Sequence, residues 1–171
     1  ARLKNVTVDS EYGGGIEVAH ADAEAVLEDC MFMQKGYFDW TSTCVSVSTG
    51  GTVTVKGGTY VSEDGYALYV FSSGGTLIVD DGVFQGAKAV LKADLDSSSY
   101  PDNTLRVALN NGEFQGAISQ SGDAEKVSVE VSGGYYTVDP AAYLVDKKTV
   151  LPSDKAEYQY MVSESKAATD A

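Results

Sequence analysis

The chain has 171 residues, a formal charge of −13 and a composition that is 43% hydrophobic and 22% charged. That suits one folded domain with a real core. So large an acidic excess excludes nucleic acid as a partner and disfavours anionic membrane surfaces, and no apolar run approaches the ~20 residues needed to insert a helix in a membrane. Eighteen glycines, eleven tyrosines and only three prolines favour strands and turns over helices.

One pattern recurs along the chain: an apolar residue, four others, then an aromatic or large apolar residue. It pairs Leu3 with Val8, Leu27 with Phe32, Val55 with Tyr60, Val79 with Phe84, Leu109 with Phe114 and Val131 with Tyr136. Two residues before each leading member stands another apolar or small residue: Ala1, Ala25, Val53, Leu77, Val107 and Val129. Apolar residues spaced by two describe a strand with one buried face. The leading members are 24, 28, 24, 30 and 22 residues apart. Short strands in coils of unequal length predict a parallel β-solenoid of about six coils, read as a right-handed single-stranded β-helix with extra residues looped out at its corners.

The columns between the paired positions predict where each coil bends. One runs Asn5, Asp29, Gly57, Asp81, Asn111, Gly133, and the next runs Val6, Cys30, Gly58, Gly82, Gly112, Gly134. Glycine, asparagine and aspartate tolerate left-handed backbone angles, so a shared corner is expected within these two columns. The aromatics that follow are expected to form one internal stack. A second strand is predicted after each corner: Ile16 and Val18, Val45 and Val47, Leu68 and Val70, Val90, Ile118, then Tyr143 with Leu144. The column Lys4, Glu28, Lys56, Asp80 alternates in sign, which would help to set the register.

The reactive residues are few. Cys30 and Cys44 are read as two small buried hydrophobes, with a bridge open to them if their Cα atoms lie within about 6 Å. His20 reads as a turn histidine with no nucleophile motif beside it. Glu28-Asp29 and Asp80-Asp81 fall in or beside the corner columns, where turn chemistry accounts for Asp29 and Asp81. Asp94, Asp96 and Asp102 form a weak calcium candidate within Asp-Leu-Asp-Ser-Ser-Ser-Tyr-Pro-Asp. Ser99 and Leu105 stand where a calcium loop wants Gly and Glu, so a polar corner loop is the plainer reading and no cofactor is expected. The long excursion from Gln34 to Thr43 holds Tyr37, Phe38 and Trp40, the one tryptophan. These rings either fold back over the edge of the solenoid or stack on sugar. The second reading makes them, with Tyr100 in the other large excursion, the candidate ligand-binding residues.

The run Ser132-Gly133-Gly134-Tyr135-Tyr136, followed by Asp139-Pro140, Ala142-Tyr143-Leu144 and Tyr158-Gln159-Tyr160-Met161-Val162, resembles the ending of secreted right-handed β-helix proteins of gut bacteria. Gly57 to Tyr60 resembles their repeat. These are pectin-lyase-like solenoids in fold, and the resemblance implies an extracellular or cell-surface place but transfers no catalytic residue; if the native protein is exported, its signal is expected to have been removed or to lie outside this sequence. The expectation is a non-catalytic surface scaffold or adhesin-like module that contacts neutral glycans or surface proteins. The alternative is a carbohydrate-active domain of lyase or hydrolase type. A β-helix domain is expected over residues 1–162, with a C-terminal cap over 141–162 and a disordered tail or linker over 163–171. Ala1 already occupies a repeat column, so the native chain is expected to continue upstream.

Overall fold

The computed structural model describes residues 1–39 and 42–165. The chain is a parallel β-solenoid of about six turns. Coil one holds β1 (Arg2–Lys4), β2 (Thr7–Ser10) and β3 (Ile16–Val18). Coil two follows with β4 (Glu24–Gln34) and β5 (Thr43–Val47), coil three with β6 (Thr52–Ser62) and β7 (Tyr66–Val70), and coil four with β8 (Gly75–Gly86) and β9 (Ala89–Asp94). Coil five holds β10 (Leu105–Leu109), β11 (Glu113–Gln115) and β12 (Ile118–Ser121). Coil six has β13 (Val127–Val131) and β14 (Gly134–Tyr136), then a 3-10 turn at Ala141–Tyr143. The chain ends in β15 (Lys148–Pro152) and β16 (Tyr160–Glu164).

The expected ladder is present residue for residue. Leu3, Leu27, Val55, Val79, Leu109 and Val131 are successive partners in parallel register. So are Val8, Phe32, Tyr60, Phe84, Phe114 and Tyr136. The five rings form one buried column. Tyr60, Phe84, Phe114 and Tyr136 lie face to face at 5.1, 5.2 and 4.8 Å, while Phe32 meets Tyr60 edge-on at 5.4 Å. The two tyrosines satisfy their buried hydroxyls locally: Tyr60 donates to the Gly57 carbonyl (3.1 Å) and Tyr136 to that of Gly133 (2.8 Å). Burial pushes both phenols up, most strongly at Tyr136.

The corner is where expected, and it changes hands partway along. Positive φ falls on the first column in coils one and two, at Asn5 (55°) and Asp29 (48°). It falls on the second column in coils four to six, at Gly82 (137°), Gly112 (135°) and Gly134 (104°). Coil three carries both, Gly57 at 89° and Gly58 at 104°, and the β6–β8 ladder slips there so that Lys56 faces Asp81. The alternating charge column therefore ends at Lys56. Glu28 is held by Arg2, with Lys4 at 3.9 Å, and Asp80 instead accepts from Asn110 Nδ2 at 3.0 Å.

The second sheet corrects two expectations. Its core column is Ile16, Val45, Leu68, Leu91 and Ile118, so Leu91 and not Val90 holds the coil-four place. Val90 is also buried, beside that column, at the same level as Cys44 and Ala67. Tyr143 and Leu144 form no strand. They lie in and just after the 3-10 turn, where the Tyr143 hydroxyl donates to the Ile118 carbonyl at 3.3 Å and Leu144 bridges to Val131. The parallel ladder then stops, because β16 runs antiparallel to both β14 and β15. Strand β16 includes Ser163 and Glu164, past the boundary expected at 162, and residues 166–171 lie outside the described residues.

Both cysteines are buried and free. Desolvation pushes the Cys44 thiol up to about 12, so it is inert as a nucleophile at neutral pH. His20 is exposed in a turn and accepts from the Asp22 amide at 3.2 Å.

Candidate functional site

The outer face of the five-stranded sheet gathers a row of aromatic rings, two lysines and a groove. In β7, Leu68 and Val70 point into the core, so the intervening Tyr69 points out. Register then places Glu17, Ser46, Tyr69, Lys92 and Ser119 side by side on five successive coils. Tyr66 meets Tyr69 edge-on at 5.3 Å, and Tyr69 meets Phe71 at 4.3 Å. From the coil-two loop Tyr37 reaches Tyr66 at 6.4 Å. Four rings thus run in consecutive contact across the face, with Tyr37 exposed, Tyr66 partly covered, and Tyr69 and Phe71 largely covered at 7% and 8% exposure.

Two ammonium groups sit on this row. Lys88 Nζ lies 4.1 Å from the centre of the Tyr37 ring, and Lys92 Nζ lies 5.4 and 5.3 Å from those of Tyr66 and Tyr69. Desolvation pulls the Lys92 ammonium down, but Tyr69, Tyr66 and Asp94 outweigh it and leave its pKa raised.

Beyond Tyr69 the face opens into a groove of about 490 Å³ lined by Glu17, Ser48, Tyr69, Phe71, Ser73 and Asp94 among others. A smaller hollow of about 200 Å³ adjoins it, sharing Glu17 and Phe71. A third of about 390 Å³ shares Ser73 and continues over the corner to Thr49, Asp102 and Asn103. The hydroxyls are fixed by bonds between coils. Ser48 Oγ donates to Glu17 Oε1 (3.1 Å), Ser73 Oγ accepts from the Thr49 amide (2.8 Å), and Asn103 Nδ2 donates to the Ser73 carbonyl (2.8 Å). The Thr49 backbone has φ of 51°, an uncommon angle for a β-branched residue, and this inter-coil bond helps to hold it.

The sequence candidates divide. Tyr37 is 40% exposed and joins the ring row, while Phe38 is 74% exposed and its amide donates to Ser42 Oγ. Trp40 lies outside the described residues. The loop is anchored beneath by a buried amide: Gln34 donates to the Lys35 and Gly36 carbonyls and accepts from Ser62 Oγ. Tyr100 is 39% exposed, and among the described residues its ring contacts neither Tyr37 nor Phe38.

The three calcium candidates are not brought together, and no group of three or more possible ligands of the His, Cys, Asp and Glu type occurs among the described residues. Asp94 accepts from Ser121 Oγ at 2.5 Å, and Asp102 lines the corner hollow. Asp96 folds its own turn, accepting from Ser98 Oγ (2.6 Å) and from the Ser98 and Ser99 amides. Those bonds, from Ser98 and then Ser99, hold its carboxyl down to about 2. The turn's contribution is therefore present above the ordinary carboxylate range and is lost as pH falls through about 2. A carbon-detected NMR titration of Asp96 is expected to show its midpoint near that value, and an ordinary midpoint near 4 would mean these bonds do not persist in solution.

The paired acids are also accounted for: Asp29 makes the positive-φ corner, and Asp81 Oδ1 accepts from the Gly82 amide at 2.9 Å. Reading the sequence singled out the loop aromatics but passed over Tyr66, Tyr69 and Phe71. The signal was there, since reading Leu68 and Val70 as inward already puts Tyr69 on the outside. Compared with protein-family models, curated proteins and solved structures, the chain gives no match.

Proposed function

We propose that the chain is a non-catalytic β-solenoid module of an extracellular or bacterial surface that contacts glycans, largely neutral, through the outer face of its five-stranded sheet. The observation that carries this reading is the four-ring row leading into a hydroxyl-lined groove. Aromatic faces beside fixed polar groups suit sugar rings, which present apolar C–H faces and polar edges.

One observation favours the alternative, a carbohydrate-active domain: Glu17 and Asp94 line the same groove. Yet they stand on coils one and four. Three rungs of about 4.8 Å put them roughly 14 Å apart along the axis, beyond the ~5–9.5 Å across which paired carboxylates cleave a glycosidic bond. Glu17 is also engaged by Ser48, and Asp94 by Ser121. Among the described residues the groove lining itself holds no basic residue.

A glycan array probed with the labelled protein, run beside a reducing-end assay and an absorbance assay for unsaturated products, tests both readings. Binding without turnover is expected, and Tyr66→Ala should weaken it by about tenfold, the worth of one good ring contact. Turnover abolished by Glu17→Gln or Asp94→Asn would establish the alternative.

A further inference from the structure

We propose that the ring row bearing Lys88 and Lys92 is a subsite for a sugar that carries a tetrahedral oxyanion, either a sulfate ester or a phosphate monoester. The inference rests on the glycan reading above and adds a charged group at one end of the bound chain. Lys88 lies over Tyr37 and Lys92 over both Tyr66 and Tyr69, so two ammonium groups border one row of edge-on rings. Neither is in an ion pair among the described residues, whereas Arg2, Lys4, Lys35, Lys148 and Lys155 each face a carboxylate. Asp94, two residues beyond Lys92 on the same strand, takes a hydrogen bond from Ser121.

A chain of net charge −13 repels anions at long range. At physiological salt, however, the screening length is about 8 Å. Within that distance the groups at the contact decide, and on this row they are the Lys88 and Lys92 ammonium groups, with the Asp94 carboxylate beside Lys92. The choice of lysine also carries information. A planar carboxylate is matched by the fork of arginine, and neither of the chain's two arginines, Arg2 and Arg106, stands here. Separate ammonium points suit an oxyanion whose oxygens diverge in three dimensions. The exposed part of Tyr37 would meet the sugar ring, and Tyr69, only 7% exposed but part of the 490 Å³ groove lining, joins the anionic end to the hydroxyl-lined remainder.

The test uses an array printed with matched neutral, sulfated, phosphorylated and carboxylated versions of the same oligosaccharides. The protein is compared with the Lys88→Ala/Lys92→Ala and Lys88→Gln/Lys92→Gln variants, each checked for an unchanged melting midpoint. The sulfated or the phosphorylated form is expected to bind about tenfold tighter than its neutral parent, with the preference collapsing in about 1 M salt, where screening acts over about 3 Å. Both double variants should bind neutral and charged forms alike. Whichever of the two oxyanions binds tighter identifies the source. Neutral glycan binding with no charge preference overturns the subsite and leaves the glycan reading standing, whereas no binding to any glycan overturns both. Carboxylated forms that match the sulfated ones overturn the tetrahedral choice.

Discussion

Phe84→Ala is expected to destabilise the solenoid by about 3–5 kcal/mol, the range for deleting a fully buried phenylalanine. Phe84 has no exposed surface and stacks on Tyr60 and Phe114 at 5.1 and 5.2 Å, with both ring pairs 8° from parallel. Its neighbours belong to adjacent coils whose backbones are fixed by the β6–β8 and β8–β11 ladders, so the hole cannot close by a local shift. Phe32→Ala should cost less, because Phe32 meets one ring edge-on and has only the half-buried Val8 on its other side. In urea the Phe84 variant should lower the midpoint at constant m-value. A loss under 1 kcal/mol would show that the ring column is not what holds the middle coils together. Coupling gives a second readout. A Cβ added at Gly82 would come within 2.9 Å of the Phe84 ring, so Gly82→Ala should cost less when Phe84 is already alanine.

The first sheet could be read from the sequence because its signal is redundant. An apolar residue, a permissive corner and an aromatic recur at fixed offsets, so a wrong register would misplace three columns at once. The second sheet lacks that redundancy. Ala89-Val90-Leu91 is a continuous apolar run, and all three residues are buried, so alternation alone cannot say which belongs to the Leu68 column. The handover of positive φ between columns was equally hidden, since glycine, asparagine and aspartate occur in both halves of the first column and satisfy either arrangement. Of the ring row, only Tyr37 was legible in the sequence. Lys88 is 51 residues from Tyr37 in sequence, and only the stacking of coils two, three and four brings its ammonium onto that ring. A surface assembled from one residue per coil leaves no local motif. It becomes readable when the register of the strands is known, and here that register had to come from the better-marked first sheet.

The corner itself offers the sharpest contrast between two adjacent glycines. Gly58 has φ of 104°, and a Cβ there would overlap the Cys30 carbonyl oxygen and lie 2.7 Å from the Cys30 nitrogen. Those are main-chain atoms of the coil beneath, bonded through the β4–β6 ladder, so relief means prising two coils apart. Gly58→Ala therefore combines backbone strain with overpacking and is expected to cost about 3 kcal/mol or more. Gly57 also has positive φ, at 89°, but its obstacle is Asp29 Oδ1 at 2.6 Å, the movable end of a side chain. Its column already accommodates Asn5 at 55° and Asp29 at 48°. Gly57→Asn should thus cost no more than about 1 kcal/mol, as an asparagine accepts left-handed angles with a small penalty. Both variants are measured by the same urea titration. Equal costs at the two positions would mean that the corner strain is shared along coil three, and that the close approach of Gly58 to coil two does not set the turn.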